Sequence, residues 1–136
     1  MSDVQSRCVV ITTNGTVKRG GACVMGRGIA KEAKDRYPGL DMSIGHTIIT
    51  QGNHVHMIGD LCTFPVKHMY WDRADLELIK RSAEELSKIA LENPDTLFIL
   101  PRPGCGNGGR TWEEVCPIIE PILPDNVHVI TNRLSI

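Results

Sequence analysis

Three segments of this 136-residue chain carry residue types and spacings that could do chemistry. The first is Leu100-Pro-Arg-Pro-Gly-Cys-Gly-Asn-Gly-Gly-Arg-Thr-Trp-Glu-Glu-Val115, with four glycines between positions 104 and 109. Lacking Cβ atoms, such a loop lets backbone N–H groups close on phosphate oxygens. Thr111 and Glu114 form a T-x-x-E capping box, so a helix should start at about Trp112, its dipole favouring a negative charge in front of it. A phosphate-bearing ligand, a nucleotide above all, is the expectation. The second segment, Gly20-Gly-Ala-Cys-Val-Met-Gly-Arg-Gly-Ile-Ala30, repeats the logic with small residues between a strand and a helix. Two such loops at one sheet edge could clasp a diphosphate or a ribose from two sides. The third, Thr63-Phe-Pro-Val-Lys-His-Met-Tyr-Trp71, sets Lys67 and His68 beside aromatics, which could supply a proton donor and a stacking platform. The same pattern also describes a plain surface lysine near a core-edge tryptophan.

Other patterns carry less. Gly104, Gly106 and Gly109 formally spell G-x-G-x-x-G, but the dinucleotide fingerprint should open the first βα unit and be followed by an acid at a strand end. Here it falls near the C-terminus, and the following strand runs out into Ile130-Thr131-Asn132. There is no Gly-Lys-Ser/Thr of a Walker A loop. His54 and His56 alternate as solvated strand residues would, without a third ligand at metal-binding spacing, so no metal site is expected. Cys105, at a helix N-terminus that could lower its pKa, reads as a small loop residue more than as a nucleophile.

The elements that must position these segments follow from patterning. Cys8-Val-Val-Ile-Thr12 reads as a strand buried on both faces, followed by a loop through Asn14-Gly15 and Gly20-Gly21. A helix should run from about Gly26 to Arg36, stopped by Tyr37-Pro38-Gly39. His46 to Ile58, β-rich on either side of Gln51-Gly52-Asn53, reads as a hairpin-like sheet edge. Leu61 to Val66 continues extended and stops near Pro65. Asp72 and Asp75 open a long helix to about Glu92, with Ile79, Ala83, Leu86 and Ala90 at four, three and four. Strand 97–100, a helix from Trp112 that Pro117 and Pro121 should bend or shorten, and strand 127–130 complete the chain. The expected fold class is α/β: one three-layer α/β/α domain over 1–136, its sheet mixed but mostly parallel, with an antiparallel edge. Ligands of such sheets bind at the carboxyl ends of the strands, where both glycine loops fall.

Bulk properties narrow the partners. The chain is 41% hydrophobic and 23% charged with a net charge of −1, so long-range attraction to a nucleic-acid backbone is not built in. No apolar run approaches transmembrane length, and Met1 to Arg7 lacks a leader's apolar core. Five cysteines, an odd number without a C-x-x-C pair, suit reduced thiols in a cytoplasmic protein.

In combination and order, Val24-Met-Gly-Arg-Gly-Ile-Ala30, Phe64-Pro-Val-Lys-His-Met-Tyr-Trp71 and Pro103-Gly-Cys-Gly-Asn-Gly-Gly-Arg-Thr-Trp112 resemble the macro domain, the ADP-ribose-binding α/β/α family, from about Val9 to Ile130. They are most similar to the branch containing the bacterial antitoxin macrodomain that removes ADP-ribose from thymidine in DNA. The human enzyme releasing ADP-ribose from acidic side chains and nucleobases belongs to that branch. The resemblance implies that Asn14 contacts the distal ribose, that Met25, Gly26, Gly28 and Ile29 wrap that ribose and the phosphates, and that Gly104, Cys105, Gly106, Asn107 and Gly108 hold the diphosphate. Lys67 falls where the antitoxin carries its catalytic lysine. Two departures stand out: Gly108 occupies the place of the human relative's catalytic aspartate, and the Gly-Asp-Ile/Leu strand whose aspartate contacts adenine is missing.

The resemblance thus implies a protein that binds ADP-ribose and hydrolyses ADP-ribosyl adducts on a nucleobase or a protein side chain, without a cofactor. Its macromolecular partner would carry that adduct, DNA being one candidate. Lys67 could protonate the leaving atom or the ring oxygen, or trap the opened sugar as a Schiff base. A non-catalytic reader or sequestering module for ADP-ribose or a signalling nucleotide needs the same loops but not Lys67. A small NAD-binding domain is disfavoured by the missing ribose-binding acid.

Overall fold

The structure, a computed structural model, describes residues 6–131. Met1 to Gln5 and Asn132, both named in the sequence readings above, lie outside the described residues. Strand β1 (Ser6–Asn14) is central; on its two sides run β3 (Leu61–Lys67) and β4 (Thr96–Pro101), both parallel to it. Beyond β4 lies β5 (Val127–Ile130), parallel again, and beyond β3 the short β2 (Met57–Ile58), antiparallel. The sheet order is β2-β3-β1-β4-β5. The expected mixed, mostly parallel sheet with an antiparallel edge is what forms.

Period-two alternation along β1 sends its side chains into two cores. Ile11, with Val9 at its margin, packs with residues of α1 (Gly28–Arg36) and α2 (Leu40–Gln51), including Ile29, Ala33 and Ile44. Cys8 and Val10 pack with residues of α3 (Leu76–Glu92) and α4 (Trp112–Ile119), among them Ile79, Leu86, Val115 and Ile119. Helices thus cover both faces, giving the three layers read from the pattern. The four-three-four stripe of α3 is buried at every position named, Ile79, Ala83, Leu86 and Ala90.

The segment from His46 departs from expectation. Residues 46–51 are the end of α2, not an edge strand. Leu40, Ile44 and Ile48 recur every four residues and feed the α1/α2 core, so tertiary burial overrides the β-branched composition. Thr47 and Thr50 donate their hydroxyls to Ser43 O and His46 O, both at 2.9 Å, which satisfies them inside the helix. Gly52, read as part of a hairpin turn, ends the helix at φ +91°, its N–H donating to Ile48 O at 2.8 Å. The hairpin exists one turn later, where Gly59-Asp60 joins Met57-Ile58 to Leu61-Cys62.

Smaller differences have local causes. Helix α1 starts at Gly28, after Arg27 in extended conformation. Strand β3 does not stop at Pro65 but runs to Lys67. Among the described residues its outer edge has no strand partner there, so no ladder bond is lost to proline. Ser82 of α3, fully buried, donates to Pro65 O at 2.7 Å. Pro117 sits inside α4, which is only eight residues long, and Pro121 lies past its end. No helix among the described residues is long and apolar enough to cross a membrane.

The topology itself makes a cleft. After β1 the chain leaves for the α1/α2 face, and after β4 for the α3/α4 face. Neighbouring strands whose following loops part to opposite faces leave a crevice at their carboxyl ends. Both glycine loops hang over that crevice.

Candidate functional site

The crevice is a cleft of about 1050 Å³, lined by Lys67 and by every residue that the resemblance assigns to the ligand, but not by His54, His56 or His68. Asn14 stands at the end of β1, Met25, Gly26, Gly28 and Ile29 on the first loop and the start of α1, and Lys67 at the end of β3. Gly104, Cys105, Gly106, Asn107 and Gly108 form the opposite wall. The two loops approach each other closely: a Cβ added to Gly28 would lie 3.1 Å from the Asn107 side-chain amide.

Asn14 shapes the first loop. Its amide nitrogen donates to Val24 O at 2.9 Å and its Oδ1 accepts from Thr16 N at 3.0 Å. One amide hydrogen is left beyond that tie. The loop leans on α2 as well, with Cys23 N donating to Asp41 O at 2.9 Å.

The second loop is stapled to the residues before α3. Ala74 N donates to Gly108 O at 2.8 Å, Arg110 Nε to Ala74 O at 2.7 Å, and Arg73 Nε and Nη2 to Gly109 O at 3.1 and 3.0 Å. Gly104 fits only as glycine: its φ is +77°, and a Cβ would sit 2.6 Å from Ile79 Cδ1. The capping box forms as read, with Glu114 N donating to Thr111 Oγ1 at 3.2 Å and Thr111 N to Glu114 Oε1 at 2.9 Å. The bond from Thr111 N–H is the main reason the Glu114 carboxyl is held below its usual range.

Cys105 does not sit at the start of α4 but before a 3₁₀ turn, Gly106–Gly108. Burial pushes its thiol up, against the lowering that a helix N-terminus would bring. Cys105→Ser is therefore expected to leave ligand affinity and any turnover within about twofold of the parent. Iodoacetamide labelling at neutral pH should be slow at this position, read by peptide mass spectrometry.

Lys67 follows an irregularity. Opposite Thr13 and Asn14 the register on β3 jumps from Pro65 to Lys67, leaving Val66 as a bulge. The Lys67 ammonium donates to Tyr70 O at 3.3 Å and to Asn107 O at 3.4 Å, reaching from β3 to the second loop. Among the described residues no carboxylate pairs with it. Tyr70 and Trp71 stand edge to face beside it, ring centroids 5.0 Å apart, and are 50% and 64% exposed at the cleft mouth. Exposed aromatic surface beside a cleft is available for contact with a ligand or its attached group.

His68 turns away from proton donation into the cleft and toward Asp75, Nε2 to Oδ2 at 2.8 Å. That bond, ahead of the N–H groups of Glu77 and Leu78, lowers the Asp75 carboxyl below its ordinary value. A carboxyl depressed by folding adds stability above its unfolded pKa of about 3.9, which is lost as pH falls through the lower folded value. Asp75→Asn keeps the helix cap that Asp75 gives to Glu77 N, so it should flatten only this acid limb. The difference should stay under about 1 kcal/mol for so exposed a pair, checked by Tm against pH from 2 to 6.

His54 and His56 lie in the loop before β2 rather than on a strand, and His54 Nδ1 is 2.7 Å from Glu85 Oε2. No group of three potential metal ligands occurs among the described residues. The sequence reading missed Arg27, Asp72, Arg102 and Thr131 as lining residues. Arg27 and Arg102 were visible inside the glycine segments, but nothing in their spacing set them apart from surface arginines. Arg102 also stacks over Trp112, 4.6 Å from the ring centroid. With Lys67 they bring three cations to the cleft against one lining carboxylate, Asp72, among the described residues. Such a cleft suits an elongated dianion.

No family model and no curated protein matches the chain by sequence. Solved structures do match in fold. The macrodomain of Mycobacterium tuberculosis DarG superposes at a TM-score of 0.74 and 22% identity, over 98% of this chain and 91% of that one. The macrodomain of Thermus aquaticus DarG gives 0.73 at 23% identity, over 93% and 87%. Thermosipho africanus DarTG, solved in complex with ADP-ribose, gives 0.73 at 17% identity, over 97% of this chain and 40% of that longer one. The chain has the macrodomain fold.

Proposed function

We propose that the cleft binds ADP-ribose and that the protein hydrolyses ADP-ribosyl adducts, on a nucleobase or a protein side chain. One observation carries the reading: two side-chain-poor loops face each other across a cationic cleft, with a lysine ammonium between them. Fold likeness to a DarTG structure that holds ADP-ribose supports the ligand class. The diphosphate would lie against the backbone of 104–108, with the distal ribose toward Asn14 and the first loop. That arrangement leaves C1″ of the ribose facing Lys67.

Cleavage breaks the bond from C1″ to the leaving atom, and the electron pair departs with that atom. Of the roles open to Lys67, we assign that of proton donor, from an amine that lines the cleft and reaches to the second loop. It would give its proton to the leaving atom. Water would add to C1″ and return a proton to the amine, leaving free ADP-ribose and the unmodified acceptor. The exposed Tyr70–Trp71 edge beside Lys67 would receive that acceptor.

One observation favours a second reading. The Lys67 contacts to Tyr70 O and Asn107 O tie two loops together, a structural role for this lysine that involves no chemistry. Incubation with ADP-ribosylated DNA and with an ADP-ribosylated acidic peptide separates the two. Free ADP-ribose from either substrate is expected; binding of ADP-ribose with no release from any adduct would leave the reader.

A further inference from the structure

We infer that Asn53 is a positioning residue for Lys67, held in place by an arginine–glutamate pair on α3. This rests on the proposed role of Lys67. Among the described residues no strand lies beside the outer edge of β3 past Leu61–Cys62, so its backbone N–H and C=O groups need other partners. The segment after α2 supplies them. Asn53 Nδ2 donates to Lys67 O at 3.1 Å, and Thr63 N donates to His56 O at 2.9 Å. The side chain of Asn53 thereby stands in for a missing strand at the one residue whose backbone must aim the cleft amine.

Asn53 is itself fixed from two sides. Arg81 Nη2 donates to Asn53 O, and Arg81 Nε is 3.6 Å from Glu85 Oε2 on the next turn of α3. Glu85 Oε1 accepts from Val55 N at 2.9 Å, so one carboxylate and one guanidinium pin residues 53–55 to the helix. From the other side the residue just after β1 crowds in: a Cβ on Gly15 would lie 2.8 Å from Asn53 Nδ2 and 2.8 Å from His68 O. Gly15 N also donates to His68 O at 3.0 Å, so the residues on either side of the Lys67–His68 peptide are gripped together. The Val66 bulge shifts the register just before Lys67, which still pairs with Asn14 of β1, so these bonds add to that one pairing in orienting the end of β3.

The test uses Asn53→Ala, which removes the donor, and Asn53→Asp, which keeps the shape and sets an acceptor against the Lys67 carbonyl. Both should bind ADP-ribose within about twofold of the parent while release at saturating adduct falls at least about tenfold, KM moving little. Lys67 should also be labelled several-fold faster by an amine-reactive reagent in both variants, read by peptide mass spectrometry. Should the alanine variant not fold, the aspartate variant carries both readouts. If the parent releases nothing from any adduct, the hydrolase reading fails, while the labelling still decides the positioning role. Parent-like labelling of Lys67 in the folded variants, or parent-like release, would overturn the inference.

Discussion

Lys67→Ala is expected to lower the release of ADP-ribose from the adduct by about 10²–10⁴-fold, while its affinity for free ADP-ribose stays within about threefold. Two physical points set the size and the split. The amine is the only ammonium donor lining the cleft among the described residues, so its removal takes away the proton donor that the reading assigns. Its hydrogen bonds to the two carbonyls are long, at 3.3 and 3.4 Å, so losing them should relax the loops little. Lys67→Arg sharpens the result. A guanidinium keeps the charge but does not give up its proton near neutral pH, so it should restore affinity and not turnover. Single-turnover release and calorimetry on the three proteins check both halves. Full turnover in Lys67→Arg would mean that charge alone matters, and full turnover in Lys67→Ala would remove the lysine from the chemistry.

Gly45→Ala should destabilise the protein by about 3 kcal/mol and weaken ligand binding at a distance. Helix propensity predicts the opposite sign, since alanine is favoured over glycine by about 0.8–1 kcal/mol inside a helix. Here the α2 backbone lies directly against the first loop. A Cβ on Gly45 would run into the Gly21 carbonyl oxygen and stand 2.9 Å from Cys23 N. Neither neighbour is a flexible side-chain end, so α2 or the loop must shift. A shift would disturb the Cys23 N to Asp41 O bond and the arch that leads to Met25 and Gly26. Gly20→Ala is the control, because no atom lies within 4 Å of its added Cβ. Urea melts of both variants, with ligand affinity measured alongside, decide the matter. A parent-like midpoint for Gly45→Ala would show that this contact is soft.

The two cases also show what the sequence could convey. Lys67 was legible as an amine beside aromatics at a strand end, but not the Val66 bulge behind it, because a bulge is a property of two strands in register. The glycine loops were legible because their local chemistry is strong: the capping box and the glycines of 104–109 act over a few residues. That both loops overhang one crevice followed from alternating strands and helices. The end of helix α2 was misread because Thr47, Ile48, Ile49 and Thr50 favour a strand locally, and only the four-residue recurrence of Leu40, Ile44 and Ile48 betrays the buried stripe. Gly52 then served as a helix stop where a hairpin turn was expected. Asn53 carried no signal, since its partners Lys67 and Arg81 are distant in sequence and meet only in the fold. Cys105 shows the converse, a residue whose burial decides its chemistry against its place in the loop.

Calorimetric titration of the protein with ADP-ribose, run beside NAD, tests the central claim most directly. In the proposed pose the free distal ribose lies beside Lys67, so ADP-ribose should bind one per chain in the micromolar range or tighter, and NAD at least about tenfold more weakly. No heat with ADP-ribose, or equal affinity for both nucleotides, would contradict a cleft built to hold the diphosphate and present C1″ to an amine.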